Sequence, residues 1–195
     1  MKRRTFDVLV STVGLFLAAI LLVAGGLLTW AHTFVDREVH SQLAAQQIFF
    51  PPEGSPAIAG PQFEAMHRYA GQQLTTGAQA QTYADHFIAV HLKEVGGGKT
   101  YAQLSAEAQA NPTDTRLADQ VQTMFRGETL RGLLLNAYAF GTMGTIAGIA
   151  AIAAFVAAAF VLLLSGLGMW HARRVPPTRE ILAPHPDHDP DLVNA

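Results

Sequence analysis

The feature that most constrains this chain is an uncharged stretch of 39 residues, Gly132 to Trp170, which contains no acidic, basic or histidine residue. As one helix it would measure about 58 Å, nearly twice the roughly 30 Å thickness of a bilayer's hydrocarbon core. We therefore place a membrane-spanning helix at about residues 145–169 and expect the apolar residues before it to pack outside the lipid or at the membrane interface. Trp170 and the basic residues that follow it mark one edge of this span.

A second apolar run, Val8 to Trp30, is 23 residues long, which suffices for one membrane crossing. It follows Lys2, Arg3 and Arg4, and a cleaved signal peptide begins in the same way. The apolar core of a signal peptide is usually about 7 to 15 residues long. We therefore favour an uncleaved first span at residues 8–30, with a cleaved signal peptide as the alternative.

The composition agrees with a membrane protein. Hydrophobic residues make up 50% of the chain and charged residues 14%, whereas an average soluble domain has about 25% charged residues. The lipid bilayer is therefore an expected partner. The net charge of −2 gives no basic face of the kind that binds nucleic acid, so we expect no nucleic-acid partner. The chain contains no cysteine, which excludes disulfides and thiolate chemistry.

The charges next to the spans predict the orientation, because lysine and arginine collect on the cytoplasmic side of a membrane. Residues 1–7 carry three such charges, and three arginines follow the second span. This predicts a multi-pass protein of the cell membrane, with both termini in the cytoplasm and residues 31–138 outside it. Residues 171–195 contain five prolines and few apolar residues, which predicts a disordered cytoplasmic tail.

Residues 31–138 show apolar residues at helical spacing and no alternating pattern long enough for a strand. Val35, Val39 and Leu43 recur every four residues, which predicts that the first span continues as an amphipathic helix. The three glycines at 96–98 should end another helix. The predicted fold class is therefore all-α, with two transmembrane helices flanking an extracytoplasmic helical bundle.

The last helix of this bundle should begin at Asn111, which can cap the first-turn amides, with Pro112 at the first helical position. The helix should then lead into the second span. Its predicted apolar stripe consists of Leu117, Val121, Met124 and Phe125.

Small residues at regular spacing predict close helix packing, because helices associate in lipid through close backbone approach and not through the hydrophobic effect. The predicted packing residues are Gly14, Ala18 and Gly26 in the first span and the GxxxG pair Gly144 and Gly148, with Ala150, Ala154 and Ala158, in the second. The spans can pack against each other or against copies of themselves. The alternative is that glycine and alanine are simply common in membrane helices.

One Glu-x-x-His pair, Glu64 and His67, matches the element that helical di-iron bundles use. A second pair, His91 and Glu94, runs in the reverse order. A di-iron site needs two Glu-x-x-His elements and two further carboxylates, so these four residues form an incomplete metal set. We favour solvated or hydrogen-bonded histidines, and we expect no bound cofactor.

Two segments, GQQLTTGAQAQTYADHFIAVHLKEVGGGKTYAQLS and FRGETLRGLLLNAYAFG, resemble those of a family of uncharacterised two-pass membrane proteins from actinobacteria. The resemblance covers about Arg4 to Arg174. Members of the family sometimes carry an aromatic ring-opening dioxygenase label. A non-haem iron oxygenase needs two histidines and a carboxylate at one open site, and the sequence predicts no such set. The resemblance therefore implies a location and a topology, without functional residues.

No recognisable nucleophile or phosphate-binding motif occurs in the sequence, so we favour a protein that is not an enzyme. The first hypothesis is a structural or accessory membrane subunit, which presents its helical domain to a membrane-complex partner or forms a homo-oligomer. The second is an extracytoplasmic sensor or ligand-binding module. The third is a metal-dependent oxidoreductase.

Overall fold

The computed structural model describes residues 3–176, and all regular secondary structure in that range is helical. An isolated antiparallel bridge between Phe49 and Gln73 is the one β-type contact of this range. The α-helices are α1 (Arg3–Ala45), α2 (Glu64–His67), α3 (Gly77–Tyr83), α4 (Ala89–Val95), α5 (Tyr101–Ala110) and α6 (Thr115–Arg174). The all-α prediction is confirmed. The predicted tail lies, from residue 177 onward, outside the described residues.

The chain divides into two compact units. The first, which we call the two-helix unit, comprises Met1–Leu28 and Ile149–Ala195, and the second, the helical domain, comprises Thr29–Gly148. Helices α1 and α6 each contribute residues to both units. Since α1 is unbroken from Arg3 to Ala45, the prediction that the first apolar run continues as a helix is confirmed.

Helices α1 and α6, of 43 and 60 residues, are both long and apolar enough to span a membrane. Their most apolar 18-residue windows are only 17% and 11% buried. The core helix of a soluble protein would be mostly buried, because its apolar side chains pack against other elements. Within the two-helix unit, large side chains such as Phe16 and Val156 are instead about two-thirds exposed.

The start of α6 differs from the prediction. Asp114 caps the helix, because the amide of Leu117 donates to its Oδ1 at 2.9 Å. The side chain of Asn111 donates instead to the carbonyl of Glu107 at 2.9 Å, at the end of α5. The predicted Asn111 cap with Pro112 at the first helical position is therefore wrong. An asparagine can serve either the end of one helix or the start of the next, and the short turn between the two helices uses it for the former.

The predicted helix that ends at the three glycines is interrupted by one π-helical segment, Ala84–Ile88, between α3 and α4. The helical region begins with α3, where Thr76 and Gln79 form a capping box. The Thr76 hydroxyl accepts from the Gln79 amide, and the Gln79 side chain accepts from the Thr76 amide. Its end is confirmed, since Gly97 and Gly98 take positive φ angles of 58° and 81°, which glycine adopts without strain. The sequence pattern did not predict the π segment.

The core of the helical domain joins the loop after α1 to the short helices. Phe50, Ile58, Met66 and Leu74 are almost completely buried. Backbone bonds hold this loop in place, from the Phe50 amide to the Gln72 carbonyl at 2.9 Å and from the Leu74 amide to the Ile48 carbonyl at 2.8 Å. Burying one such side chain contributes roughly 1.5–3 kcal/mol, so these residues hold the irregular segment between α1 and α3.

The predicted apolar stripes are confirmed with one exception. Leu43 is buried and Val39 packs on the same core. On α6, Leu117 and Met124 are buried and Val121 is partly buried. The prediction that Phe125 belongs to the stripe is wrong, because half of its surface is exposed. Its ring centroid lies 5.9 Å from that of Tyr101.

Candidate functional site

In the two-helix unit, α1 and α6 meet through small side chains. A Cβ atom added to Gly14 would collide with the Ser165 hydroxyl, and one added to Gly168 would collide with the Ser11 hydroxyl. Each serine thus lies directly on a glycine of the other helix. Ala18, which was predicted to pack, is fully buried. The backbones are therefore held at close approach, as small residues permit.

The buried positions of α6 in this unit recur every seven residues, at Ala151, Ala158, Ser165 and Ala172. The sequence instead predicts packing positions every four residues, at Ala150, Ala154 and Ala158. Of these, Ala158 is fully buried, while Ala150 and Ala154 are half-buried. A seven-residue repeat is expected where two helices follow each other over many turns, because 3.5 residues per turn keep one face on the partner helix.

The predicted Gly26 has no atom within 4 Å of an added Cβ, so it faces open space. The adjacent Gly25 makes the contact instead, since its Cβ would lie 2.9 Å from the ring of Phe155. The seven-residue repeat explains this difference of one residue. Gly25 falls seven residues after Ala18 and fourteen after Ser11, both of which are buried.

The GxxxG pair of α6 lies in the helical domain and is occupied by α1 of the same chain. A Cβ on Gly144 would be 3.0 Å from Val35, and one on Gly148 would be 3.1 Å from the ring of His32. The His32 Nδ1 also donates to the Gly144 carbonyl at 2.8 Å, since a carbonyl oxygen can only accept. This small-residue face therefore packs within one chain.

Of the four metal candidates, the two histidines make hydrogen bonds to other groups. The His67 Nδ1 donates to the Glu53 carboxylate at 2.9 Å on the surface. The His91 Nδ1 donates to the Phe87 carbonyl at 2.8 Å, and the His91 ring centroid lies 4.4 Å from that of Phe87. Glu64 and Glu94 are exposed. Among residues 3–176, no group of three or more histidine or acidic side chains is placed to hold a metal ion.

An ion pair ties the π segment to α6. The Arg131 guanidinium donates to Asp85 Oδ1 at 3.1 Å and lies 3.6 Å from a Glu128 carboxylate oxygen. The Arg131 and Asp85 side chains are each about one-third exposed. The pair joins residues 46 positions apart, so no local sequence pattern could have predicted it.

The π segment also borders a cluster of aromatic rings. The Tyr83 ring meets Phe50 edge-on at 5.3 Å and Phe87 at 4.8 Å. Burial among these rings raises the pKa of the Tyr83 phenol above its ordinary value of 10.0, because an apolar environment disfavours the charged form. Tyr83 therefore serves the core as a neutral side chain.

The helical domain contains a cavity of about 570 Å³ between the end of α1 and the middle of α6, which we call the cleft. Its α1 side and the following loop supply residues 34–48, and its α6 side supplies residues 130–140. The apolar lining consists of Phe34, Val35, Val39, Leu43, Ile48, Leu130, Leu133, Leu134, Ala137 and Phe140, and the polar lining of Glu38, Gln42, Gln46 and Asn136.

The cleft has a buried floor and exposed apolar walls. Leu43 and Leu134 are buried and belong to the domain core. By contrast, Phe34, Leu133 and Phe140 expose 50%, 61% and 57% of their surface. Exposed apolar surface is a feature of surfaces that contact ligands, proteins or membranes.

The geometry suits binding better than catalysis. Small-molecule sites usually enclose about 300–1,000 Å³, with mostly apolar walls and a few polar groups that orient the ligand. The cleft has this volume and this lining. The side chains that line it include one carboxylate, Glu38, and three amides, without histidine, serine or threonine. The sequence predicts the stripe of Val35, Val39 and Leu43 but not the cavity between this stripe and α6.

No family model, curated protein or solved structure matches this chain. The fold and the site therefore define the class: an all-helical protein with two helices long and apolar enough to span a membrane, whose helical domain contains an apolar cleft. The resemblance to actinobacterial two-pass membrane proteins stays a prediction.

Proposed function

We propose that this chain is a two-pass protein of the cell membrane whose helical domain binds an apolar ligand in the cleft. In this proposal both termini lie in the cytoplasm and the domain lies outside it, as the basic residues next to the spans predict. The observation that carries the proposal is the 570 Å³ cleft with exposed apolar walls. The protein thus belongs with sensors and ligand-binding modules, the second of the three hypotheses.

The cleft favours binding because the apolar side chains of its walls are exposed to water, which is energetically unfavourable. Leu133 and Phe140 expose more than half of their surface, and removing apolar surface from water contributes about 25 cal/mol per Å². A ligand that covers both walls gains this energy without a large rearrangement, since the floor residues Leu43 and Leu134 are already packed in the core.

The GxxxG pair does not provide a surface for self-assembly. Gly144 and Gly148 already contact Val35 and His32 of the same chain. A homo-oligomer would therefore need a different surface. A structural or accessory role remains a prediction, and it differs from our proposal in that a protein partner would cover the cleft.

The third hypothesis, a metal-dependent oxidoreductase, gains no support from the four candidate residues. Among residues 3–176, no three histidine or acidic side chains lie together so that they could hold a metal ion. A di-iron site would need the two histidines and further carboxylates to converge.

The proposal can be tested by filling the cleft. Ala137 lines it and lies half-buried, so Ala137→Phe places a ring in the cavity. Ala139, two residues further along α6, is exposed and lies outside the cleft lining, so Ala139→Phe is the matched control. The full chain is purified from membranes in mild detergent, and the apolar molecules that remain bound are counted by native mass spectrometry.

We expect the natural chain and Ala139→Phe to retain close to one apolar molecule per chain, and Ala137→Phe to retain at least fivefold less. Equal retention by all three proteins would contradict the proposal. If Ala137→Phe fails to fold, Leu133→Gln replaces it, because Leu133 is 61% exposed and a polar residue there weakens the wall without disturbing the core.

A further inference from the structure

The polar groups of the cleft are unevenly distributed over its lining. Three of the four, Glu38, Gln42 and Gln46, lie on the α1 side, and Asn136 lies on α6. Glu38 and Gln42 are four residues apart, which places them on one helix face, and the Gln42 Nε2 donates to Glu38 Oε2 at 3.2 Å. The cleft thus has one polar edge along α1 beside an apolar interior.

The apolar interior begins one residue further around the same helix. Val39 and Leu43 follow Glu38 and Gln42 directly in the sequence and pack on the domain core. A molecule bound along the cleft would therefore meet apolar side chains on its length and polar side chains at its edge. This arrangement matches an amphiphile, which has an apolar chain and a polar head.

The charge of the polar edge selects among amphiphiles. Glu38 is the charged side chain of the cleft lining, and no lysine, arginine or histidine accompanies it there. Arg131 lies nearby on α6, but its guanidinium is paired with Asp85 and lies close to Glu128. A carboxylate attracts an ammonium group and repels an anionic one.

The source of such an amphiphile follows from the position of the cleft along the helices. Phe34 lines the cleft and stacks on Trp30 with the ring centroids 5.6 Å apart, and Trp30 ends the predicted first span. Tryptophan favours the headgroup level of a bilayer. With the first span in the membrane, as proposed, the bilayer is the adjacent source of such an amphiphile.

We propose that the cleft binds a single acyl chain of a membrane lipid that carries an ammonium head of the ethanolamine type, with Glu38 as the group that binds the ammonium. This inference rests on the proposed function and adds the class of ligand to it. The volume of about 570 Å³ lies in the lower half of the usual range for ligand sites, which favours one chain over two.

The test compares two lysolipids with the same acyl chain, lysophosphatidylethanolamine and lysophosphatidylglycerol, added to the full chain in nonionic detergent. Native mass spectrometry gives the affinity of each. The variants are Glu38→Gln and, as a matched control, Asp36→Asn, which removes one negative charge from the same helix at a residue outside the cleft lining. Ala137→Phe identifies binding that takes place in the cleft.

We expect the natural chain to bind the ethanolamine lysolipid about fivefold more tightly than the glycerol lysolipid, the factor given by one ion pair in a solvent-exposed setting. Glu38→Gln should bring this ratio close to one by weakening the ethanolamine lysolipid, and Asp36→Asn should preserve it. A ratio near one in the natural chain, or a ratio unchanged by Glu38→Gln, would overturn the inference.

The two proposals fail in different ways. Equal binding of both lysolipids that Ala137→Phe removes would overturn the head-group inference and leave the apolar site in place. Binding of neither lysolipid in a manner sensitive to Ala137→Phe would overturn both. A dimer of the natural chain that Ala137→Phe dissociates would also overturn both, because a second copy of the chain would then occupy the cleft.

Discussion

Helices α1 and α6 contact each other differently in the two-helix unit and along the cleft of the helical domain, and the difference follows from the size of their side chains. In the two-helix unit, glycine, alanine and serine lie between them, and Gly14 and Gly168 leave no room for a Cβ atom. In the helical domain, residues 34–48 and 130–140 carry leucine, valine and phenylalanine and enclose a cavity of about 570 Å³. Small residues bring backbones together, whereas large ones keep them apart and leave surface for a ligand.

The largest effect should come from the floor of the cleft. Leu134 is 3% exposed, so Leu134→Ala should lower the free energy of unfolding by about 2–5 kcal/mol, the usual cost of such a cavity. The adjacent wall residue Leu133 is 61% exposed, and Leu133→Ala should cost about 0.5 kcal/mol or less. Denaturant unfolding in detergent measures both. Equal losses would mean that the wall is part of the core and that the cleft is closed.

The next effect tests the close contact in the two-helix unit. Gly14→Leu should destabilise the protein by about 1–3 kcal/mol, since the new side chain collides with Ser165 and overpacking carries that cost. Gly26→Leu is the control, because Gly26 faces open space. The melting temperature should fall by several degrees for Gly14→Leu alone. A comparable fall for Gly26→Leu would show that the four-residue spacing predicted from the sequence describes the interface better.

A smaller effect should distinguish the two candidate caps of α6. Asp114→Ala removes the acceptor of the Leu117 amide and should cost about 1 kcal/mol, as loss of a helix N-cap usually does. Asn111→Ala removes a bond from its side chain to the Glu107 carbonyl at an exposed position and should cost less. Thermal unfolding of both variants measures the difference. A larger loss for Asn111→Ala would restore the cap predicted from the sequence.

The smallest effect concerns the alkaline stability of the domain core. Burial raises the pKa of Tyr83 above 10.0, so its contribution to stability is present below pH 10, where the phenol is neutral in both states. It is lost as the pH rises through the pKa of the folded protein, because the unfolded chain releases the proton more readily. Tyr83→Phe should therefore lose less stability between pH 9 and 11 than the natural chain. Parallel losses would show that Tyr83 does not carry this pH dependence.

The sequence predicted the features that depend on local pattern. The helical stripe of Val39 and Leu43 and the all-α fold class follow from residue spacing, and the structure confirms both. The sequence did not predict the seven-residue repeat, because the small-residue spacing was followed along each helix separately. That repeat arises only when two helices pack together, and it places Gly25 rather than Gly26 in the contact.

The cleft could not have been predicted, because it depends on the distance between two segments about 90 residues apart. Contacts between residues that are far apart in the sequence set this distance. Val35 lies on Gly144 at one point of the pair. At another, Leu134 belongs to the domain core, and Ile48, in the loop after α1, packs against that core. Apolar residues on α6 that the sequence places before the second span, such as Leu133 and Phe140, line the cleft.

Occupation of the cleft by an apolar molecule can be measured by thiol labelling, because the chain has no cysteine of its own. Leu133→Cys places a unique thiol on the cleft wall, and Phe125→Cys places one at a half-exposed position outside the cleft lining. The measurement is the rate of alkylation by a water-soluble maleimide, with and without added lysophosphatidylethanolamine. We expect the lysolipid to slow alkylation of Leu133→Cys several-fold and to leave the alkylation rate of Phe125→Cys unchanged. Equal rates for Leu133→Cys with and without the lysolipid would contradict this expectation.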